Sequence, residues 1–447
     1  MTYPNSSAVV AGQATEADQY NFLRNDALFL GGDPTASGTL MDLLYQGMGE
    51  IHISRASKTS IRLEANENAP CALMINGRIY TVKSDLTLTL SAENFPIPGR
   101  YYLYAVGSSS AAFTLQAGNN SLPANGRRIG TFLWSGNGII PGTIREISEW
   151  EALQKDCDPS LCQGRLTLVP GDPAPDADIR MAETLYFSPY GGNAVSLYIG
   201  GSWEIFRFSE LSLNLSGMLR GIPYDIFLEA DADGLHLTAL SWGTASARPA
   251  GMLIRVDGMR VSGGDNSKRY MGSIALNASG YGEDSRTGRL VWNENHRLPR
   301  QLLSVLATTK DHGAVHIEQW APYYDEDAPF VNLLVPFADT AFILEGVGLS
   351  STISETDRQY ARSAAVGICR DMMTVSPYTG NKNCAAVFTH SCGNGPLTVR
   401  VENHDAAFQG CHNYTLAFWA NYGFYPTGTT MHNSLGETPG LTGVIWG

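Results

Sequence analysis

The sequence predicts a mainly β protein built from antiparallel sheets, and three observations carry that prediction. Turn-forming residues abound, with 47 Gly and 22 Pro among 447 residues, while only 16% of residues are charged. Apolar and polar residues alternate over short stretches from residue 51 onward, which is the period of half-buried strands. The alternating blocks also come twice, in the same order.

The first 50 residues follow a different period. Thr15-Glu16-Ala17-Asp18 offers an N-cap and an acidic first turn, and Ala17, Tyr20, Leu23 and Ala27 recur at helical spacing. A helix is expected over residues 15–29, ended by Gly31-Gly32-Asp33-Pro34. A second short helix follows, with Leu40, Leu43 and Leu44 on one face and Gly47 as its stop. Two short helices lack the bulk for a core of their own. Residues 1–50 therefore read as a docking segment, with Tyr20, Leu23, Ala27, Leu40, Leu43 and Leu44 as its contact residues.

Beyond it, Ile51 to Ile53, Ile61 to Glu64, Asp85 to Leu90 and Arg100 to Tyr104 alternate, and Asn76-Gly77 supplies a tight hairpin turn. Asp85-Leu86-Thr87-Leu88-Thr89-Leu90-Ser91 is answered 125 residues later by Glu210-Leu211-Ser212-Leu213-Asn214-Leu215-Ser216. Gly99 to Tyr104 is answered by Gly221 to Phe227, and Arg128 to Phe132 by Arg269 to Ile274. Two related sandwich-like or barrel-like β domains are expected, at 51–135 and, with a connector, at 183–304. Between them, residues 136–182 are rich in Pro, Gly and Asp and read as an ordered linker with a short helix around Ile147 to Leu153. Residues 305–447 hold strand candidates at 314–320, 332–335, 341–344, 364–369, 398–402 and 414–419, which suit a jelly-roll-like C-terminal β-sandwich.

Charge and composition exclude several function classes. A formal net charge of −13 repels phosphate backbones, and no basic run exceeds two residues, so no nucleic-acid partner is expected. No stretch of 18 apolar residues predicts a membrane helix, and residues 1–5 show no signal-peptide pattern. A hydrophobic fraction of 43% is too high for a disordered chain. The odd number of cysteines, seven, leaves at least one unpaired within the chain. Cys157 and Cys162 read as free thiols, with a small disulfide between them as the alternative.

Signatures of catalysis are missing: there is no phosphate-cradling Gly-rich loop, zinc-protease pair or serine-nucleophile elbow. No catalytic residue, cofactor or metal site is assigned. Cys369, Cys384, His390, Cys392, Cys411 and His412 fail the spacing of structural zinc, and adjacent strand positions such as Cys411 and His412 point to opposite faces. Asp325-Glu326-Asp327 lacks the spaced pattern of a calcium loop. The aromatic group Trp419, Tyr422, Phe424 and Tyr425 offers rings that stack on sugars or fill a protein pocket. A core strand at Phe418-Trp419 followed by an aromatic loop is the plainer reading of the same residues.

Taken together, Thr184 to Asn193, Leu197 to Trp203, Phe208 to Leu213, Tyr224 to Phe227 and Val291-Trp292-Asn293 resemble a family of tailed-bacteriophage virion structural proteins of the tail-appendage, tail-fibre-like kind. Val10 to Gln13 with Asp18, Asn21 and Leu23-Arg24, and the ending Gly440 to Gly447, are similar to segments of the same group. Glu294 stands where relatives tend to carry a second aromatic residue. The resemblance implies a virion component, assembled in the host cytoplasm, that associates with other virion proteins and with itself as a trimer or other cyclic homo-oligomer. It implies host attachment through a glycan or protein, and no shared catalytic residues. A phage-borne polysaccharide depolymerase and a secreted carbohydrate-binding protein are the alternatives.

Overall fold

The computed structural model describes residues 17–27, 51–147, 157–306, 312–315, 321–322, 328–352, 363–371, 384–390, 395–402, 409–421, 429–431 and 440–447, apart from the single positions 77, 120 and 338. Within them the chain is mainly β with one helix, α1 (Ala17–Ala27). It divides into two compact units. The first comprises Met1–Asp158, Tyr198–Ile205 and Ala230–Gly234, and the second holds the remainder.

The first β module runs β1 (Ile53–Ser57), β2 (Ser60–Leu63), β3 (Cys71–Ile75), β4 (Arg78–Val82), β5 (Leu86–Thr89), β6 (Gly99–Gly107), β7 (Phe113–Gly118), β8 (Gly126–Trp134) and β9 (Arg145–Glu146). These form a sheet β1-β2-β5, a hairpin β3-β4 and a sheet β7-β6-β8-β9. Ile75 pairs with Arg78 and Asn76 takes a φ of +50°, as a two-residue hairpin turn requires. The inward positions close one core around Leu63, Leu73, Phe113, Phe132 and Trp134. Burying each such side chain contributes about 1.5–3 kcal/mol.

The second module runs β10 (Gly164–Thr167), β11 (Ile179–Ala182), β12 (Thr184–Pro189), β13 (Ala194–Ile199), β14 (Ser202–Arg207), β15 (Leu211–Asn214), β16 (Tyr224–Asp231) and β17 (Gly234–Ser241). It continues with β18 (Leu253–Val256), β19 (Met259–Ser262), β20 (Arg269–Ile274), β21 (Gly282–Ser285), β22 (Gly288–Arg289) and β23 (Val291–Asn293). Its sheet β10-β12-β15, its hairpin β13-β14 and its sheet β17-β16-β20, to which β23 adds, repeat the first module strand for strand. The match reaches single residues. In the first module Leu103 pairs with Gly130 and Tyr104 with Arg128, so Ile129 bulges out. In the second, Ile226 pairs with Gly272 and Phe227 with Tyr270, so Met271 bulges out.

Both glycines are required by close approach. A Cβ on Gly130 would lie 2.7 Å from the Arg145 carbonyl oxygen and 3.3 Å from Ile53. One on Gly272 would lie 2.1 Å from the Trp292 oxygen and 2.8 Å from Leu166. Ile53 and Leu166 hold matching positions, opposite Leu63 in β2 and Phe187 in β12. The three sequence blocks that repeat thus fall on β5/β15, β6/β16 and β8/β20.

The second module differs by an insertion. Where β7 reaches β8 across residues 119–125, β17 reaches β20 across residues 242–268, which include β18 and β19. The Pro- and Gly-rich stretch 136–182 is also more structured than its composition suggests: β10 pairs with β12, and Leu166 and Leu168 are buried. Of the short helix expected around Ile147 to Leu153, residues 148–153 lie outside the described residues.

The C-terminal part runs β24 (Pro299–Val305), β25 (His312–Val315), β26 (Ala321–Pro322), β27 (Phe330–Val335), β28 (Phe342–Thr352) and β29 (Ser363–Arg370). It ends with β30 (Cys384–His390), β31 (Gly395–Glu402), β32 (Gly410–Asn421), β33 (Thr429–Met431) and β34 (Gly440–Trp446). One sheet has the order β11-β21-β22-β27-β32-β29-β30, and another the order β24-β34-β28-β33-β25 with β31 on β28. Leu333, Leu344, Val366, Ile368, Leu416 and Ile445 belong to the core these strands share.

Candidate functional site

α1 meets the expectation of a short amphipathic helix and turns most of its apolar residues outward. Asp18 in its first turn and Arg24 in its last oppose the helix dipole. Tyr20 is 74% exposed, Leu23 54% and Phe22 43%, Ala27 is exposed, and Asp26 is the one buried residue of the helix. Eleven residues make a marginal helix without packing. Leu40, Leu43 and Leu44 lie outside the described residues.

Trp419 sits in β32, opposite Ala365 of β29. Tyr422, Phe424 and Tyr425 lie outside the described residues, as do Asp325, Glu326 and Asp327. Cys71, Cys162 and Cys411 are free thiols, and Cys369 is disulfide-bonded. Cys384 stands opposite Cys369 in the β29–β30 register. Among the described residues no group of three or more His, Cys, Asp or Glu is placed to hold a metal ion.

In the first unit, the ends of β2 and the segments 64–71 and 83–85 line a cleft of about 1100 Å³. Its lining includes the ionisable side chains of His52, Arg62, Glu64, Glu67, Lys83 and Asp85. The charges neutralise one another in place: Arg62 Nη2 donates to Glu64 Oε1 at 2.7 Å, and Lys83 Nζ to Glu67 Oε2 at 3.2 Å. Glu64 and Asp85 together push the Arg62 guanidinium pKa upward. Elsewhere in this unit Arg100 pairs with Glu204, both largely buried, and donates to Thr131 Oγ1 at 2.9 Å.

A dense polar arrangement lies in the second unit, and the sequence alone does not assemble it. Asp225 is fully buried. Arg248, from the insertion, grips it through Nε to Oδ2 at 2.7 Å and Nη2 to Oδ1 at 3.0 Å. Trp242 Nε1 and Ser273 Oγ also donate to Oδ1, at 2.8 and 2.6 Å. The Arg248 guanidinium packs over Trp242 at 4.0 Å and Phe337 at 4.4 Å. Burial, with Asp225 adding to it, pushes the neighbouring Tyr270 phenol well above its usual range.

Beside this group Glu294 accepts from Arg260 at 2.5 Å and from Arg297 at 3.4 Å. Those two guanidinium groups lie over Phe337 at 3.8 Å and Trp292 at 4.4 Å. The acid at 294 therefore ties two arginine–aromatic stacks together. Each of these two carboxylates is engaged by arginine, so the arrangement braces the insertion against the sheet. Two features of the sequence bear on it, the unmatched length between β17 and β20 and the acid at 294.

No family model matches the chain, and no curated protein matches it. Among solved structures, the T13 IBDV viral particle aligns over 60% of this chain at 10% identity with a TM-score of 0.21, and the chain covers 63% of that one. A glycoside hydrolase family 43 arabinoxylan arabinofuranohydrolase from Bacillus subtilis, in complex with cellotetraose, aligns over 89% of this chain and 82% of its own at 10% identity, with a TM-score of 0.16. Likenesses this faint assign no function.

Proposed function

We propose that the protein is a non-enzymatic structural component of a tailed-phage virion, a tail-fibre, baseplate-proximal or neck appendage. It docks through its N-terminal helix and presents its C-terminal β-sandwich to partners or to the host surface. The observation that carries this reading is α1, a helix too short to stand alone that turns Tyr20, Phe22 and Leu23 to solvent. A helix of this kind needs a surface from outside itself, which in a particle is another virion protein or a further copy of the chain in a cyclic assembly. The duplicated module supports the reading as scaffolding, since the bulge glycine within each copy, and in the second copy the Arg248–Asp225 pair and its aromatic packing, fix positions rather than leave groups free to react. Modest contacts repeated over many copies then give firm attachment.

Incubating the full chain with host envelope glycan distinguishes this role from a depolymerase. Binding without released oligosaccharide is the expected result. Release of oligosaccharide by the chain overturns the non-enzymatic reading.

A further inference from the structure

β29 and β32 are adjacent strands of the C-terminal part, and a histidine joins the end of one to the start of the other. Asp371 follows directly on β29 with a φ of +58°, and Gln409 directly precedes β32. His412, 8% exposed, lies between them. Its Nδ1 is 2.9 Å from Asp371 Oδ2, and its Nε2 is 3.2 Å from the Gln409 carbonyl oxygen. Both neighbours are oxygen acceptors. An imidazolium donates to both at once, whereas a neutral ring has one N–H and satisfies only one.

The surroundings hold this geometry. The Asn413 N–H donates to Asp371 Oδ1 at 3.0 Å, and the Asp371 N–H donates to the Asn413 carbonyl at 2.6 Å. Gly410 admits the ring: a Cβ there would lie 3.1 Å from His412 Nε2 and 2.8 Å from the Ala245 oxygen. Among the described residues, the charged and titratable groups around the ring are few. Asp371 and Arg370 come from the β29 end, with Arg370 Nε 3.7 Å from Asp371 Oδ2. Tyr414 and Cys411 come from β32 itself, and burial pushes the phenol upward and the thiol to about 12. β27 contributes Leu333 opposite His412, and the neighbouring segment 244–246 is Thr-Ala-Ser; neither is titratable.

Burial alone would raise the Asp371 carboxyl. Its hydrogen bond with His412, the ring's charge, the Asn413 N–H and Arg370 outweigh that and hold it below the usual carboxylate range. It is therefore ionised wherever the ring carries its proton near neutrality.

We propose that His412 is a proton-operated clamp, which in its charged form ties Asp371 after β29 to Gln409 before β32 and on losing its proton releases one of the two. The clamp is complete on the acid side of the ring's titration and opens as the pH rises through it.

The test uses the full chain with selective ¹⁵N-histidine labelling, the His412 signal being identified by its loss in His412→Gln. The expected result is a doubly protonated ring at the acid end of the pH series and a ring with a single N–H at its alkaline end. Hydrogen exchange at residues 409–413, corrected for intrinsic rate, rises about tenfold across the same titration. In His412→Gln that pH-dependent step is lost. A ring with a single N–H throughout the range, exchange that ignores its titration, or a step retained in His412→Gln overturns the proposal.

Discussion

At the scale of the residue, the molecule depends on a few positions where geometry leaves no alternative. Gly272 and Gly130 sit at matching bulges, each with a backbone oxygen where a methyl group would go. Gly272→Ala is expected to cost about 2–3 kcal/mol, and Gly130→Ala somewhat less, read as a lowered midpoint in chemical denaturation. The Asp225–Arg248 pair makes a sharper prediction. Asp225→Ala leaves a mostly buried guanidinium without its carboxylate and should cost about 3–5 kcal/mol, whereas Asp225→Leu with Arg248→Met should recover most of that loss. If the double variant were as unstable as the single one, the pair would be doing more than satisfying its own charges. Asp371 sets an acid-side prediction. Its folded pKa is depressed, so its contribution is complete above the unfolded value of about 3.9 and drains as pH falls through the lower folded value. Acid unfolding of Asp371→Asn should therefore show a shallower loss of stability below about pH 4 than the parent.

At the scale of the element, strands were legible where alternation was strict. Leu86-Thr87-Leu88-Thr89 and Leu211-Ser212-Leu213-Asn214 carry the same burial alternation, and they take equivalent partners, β5 pairing with β2 and β15 with β12. β10 was not legible: Gly164 to Thr167 is buried throughout and does not alternate, and the Pro- and Gly-rich residues after it disguise it as linker. The arginine–aromatic cluster was hidden for another reason. Phe337 lies 89 residues beyond Arg248, and only the folded chain brings them together. Helical spacing exposed α1, although it could not show that the apolar face has no cover within the chain's described residues. Tyr20→Ser with Leu23→Ser should accordingly change stability by no more than about 0.5 kcal/mol. The same variant should fail to cosediment with particles assembled without the protein, while the parent chain attaches to them.

At the scale of the whole molecule, two copies of one β module and a C-terminal β part spend their buried polar groups on holding backbone and loops in place. A net charge of −13 makes copies of the chain repel one another, so the proposed attachment has to come from shape and apolar contact. The central claim is that α1 anchors the chain to a virion and the C-terminal β part faces away. An electron-microscopy map of a particle that carries this chain tests it most directly. The account predicts density for residues 17–27 packed against a neighbouring virion protein or a symmetry-related copy, with strands β27 to β34 distal to the particle. A map in which α1 lies free in solvent while the C-terminal strands make the particle contact would contradict it.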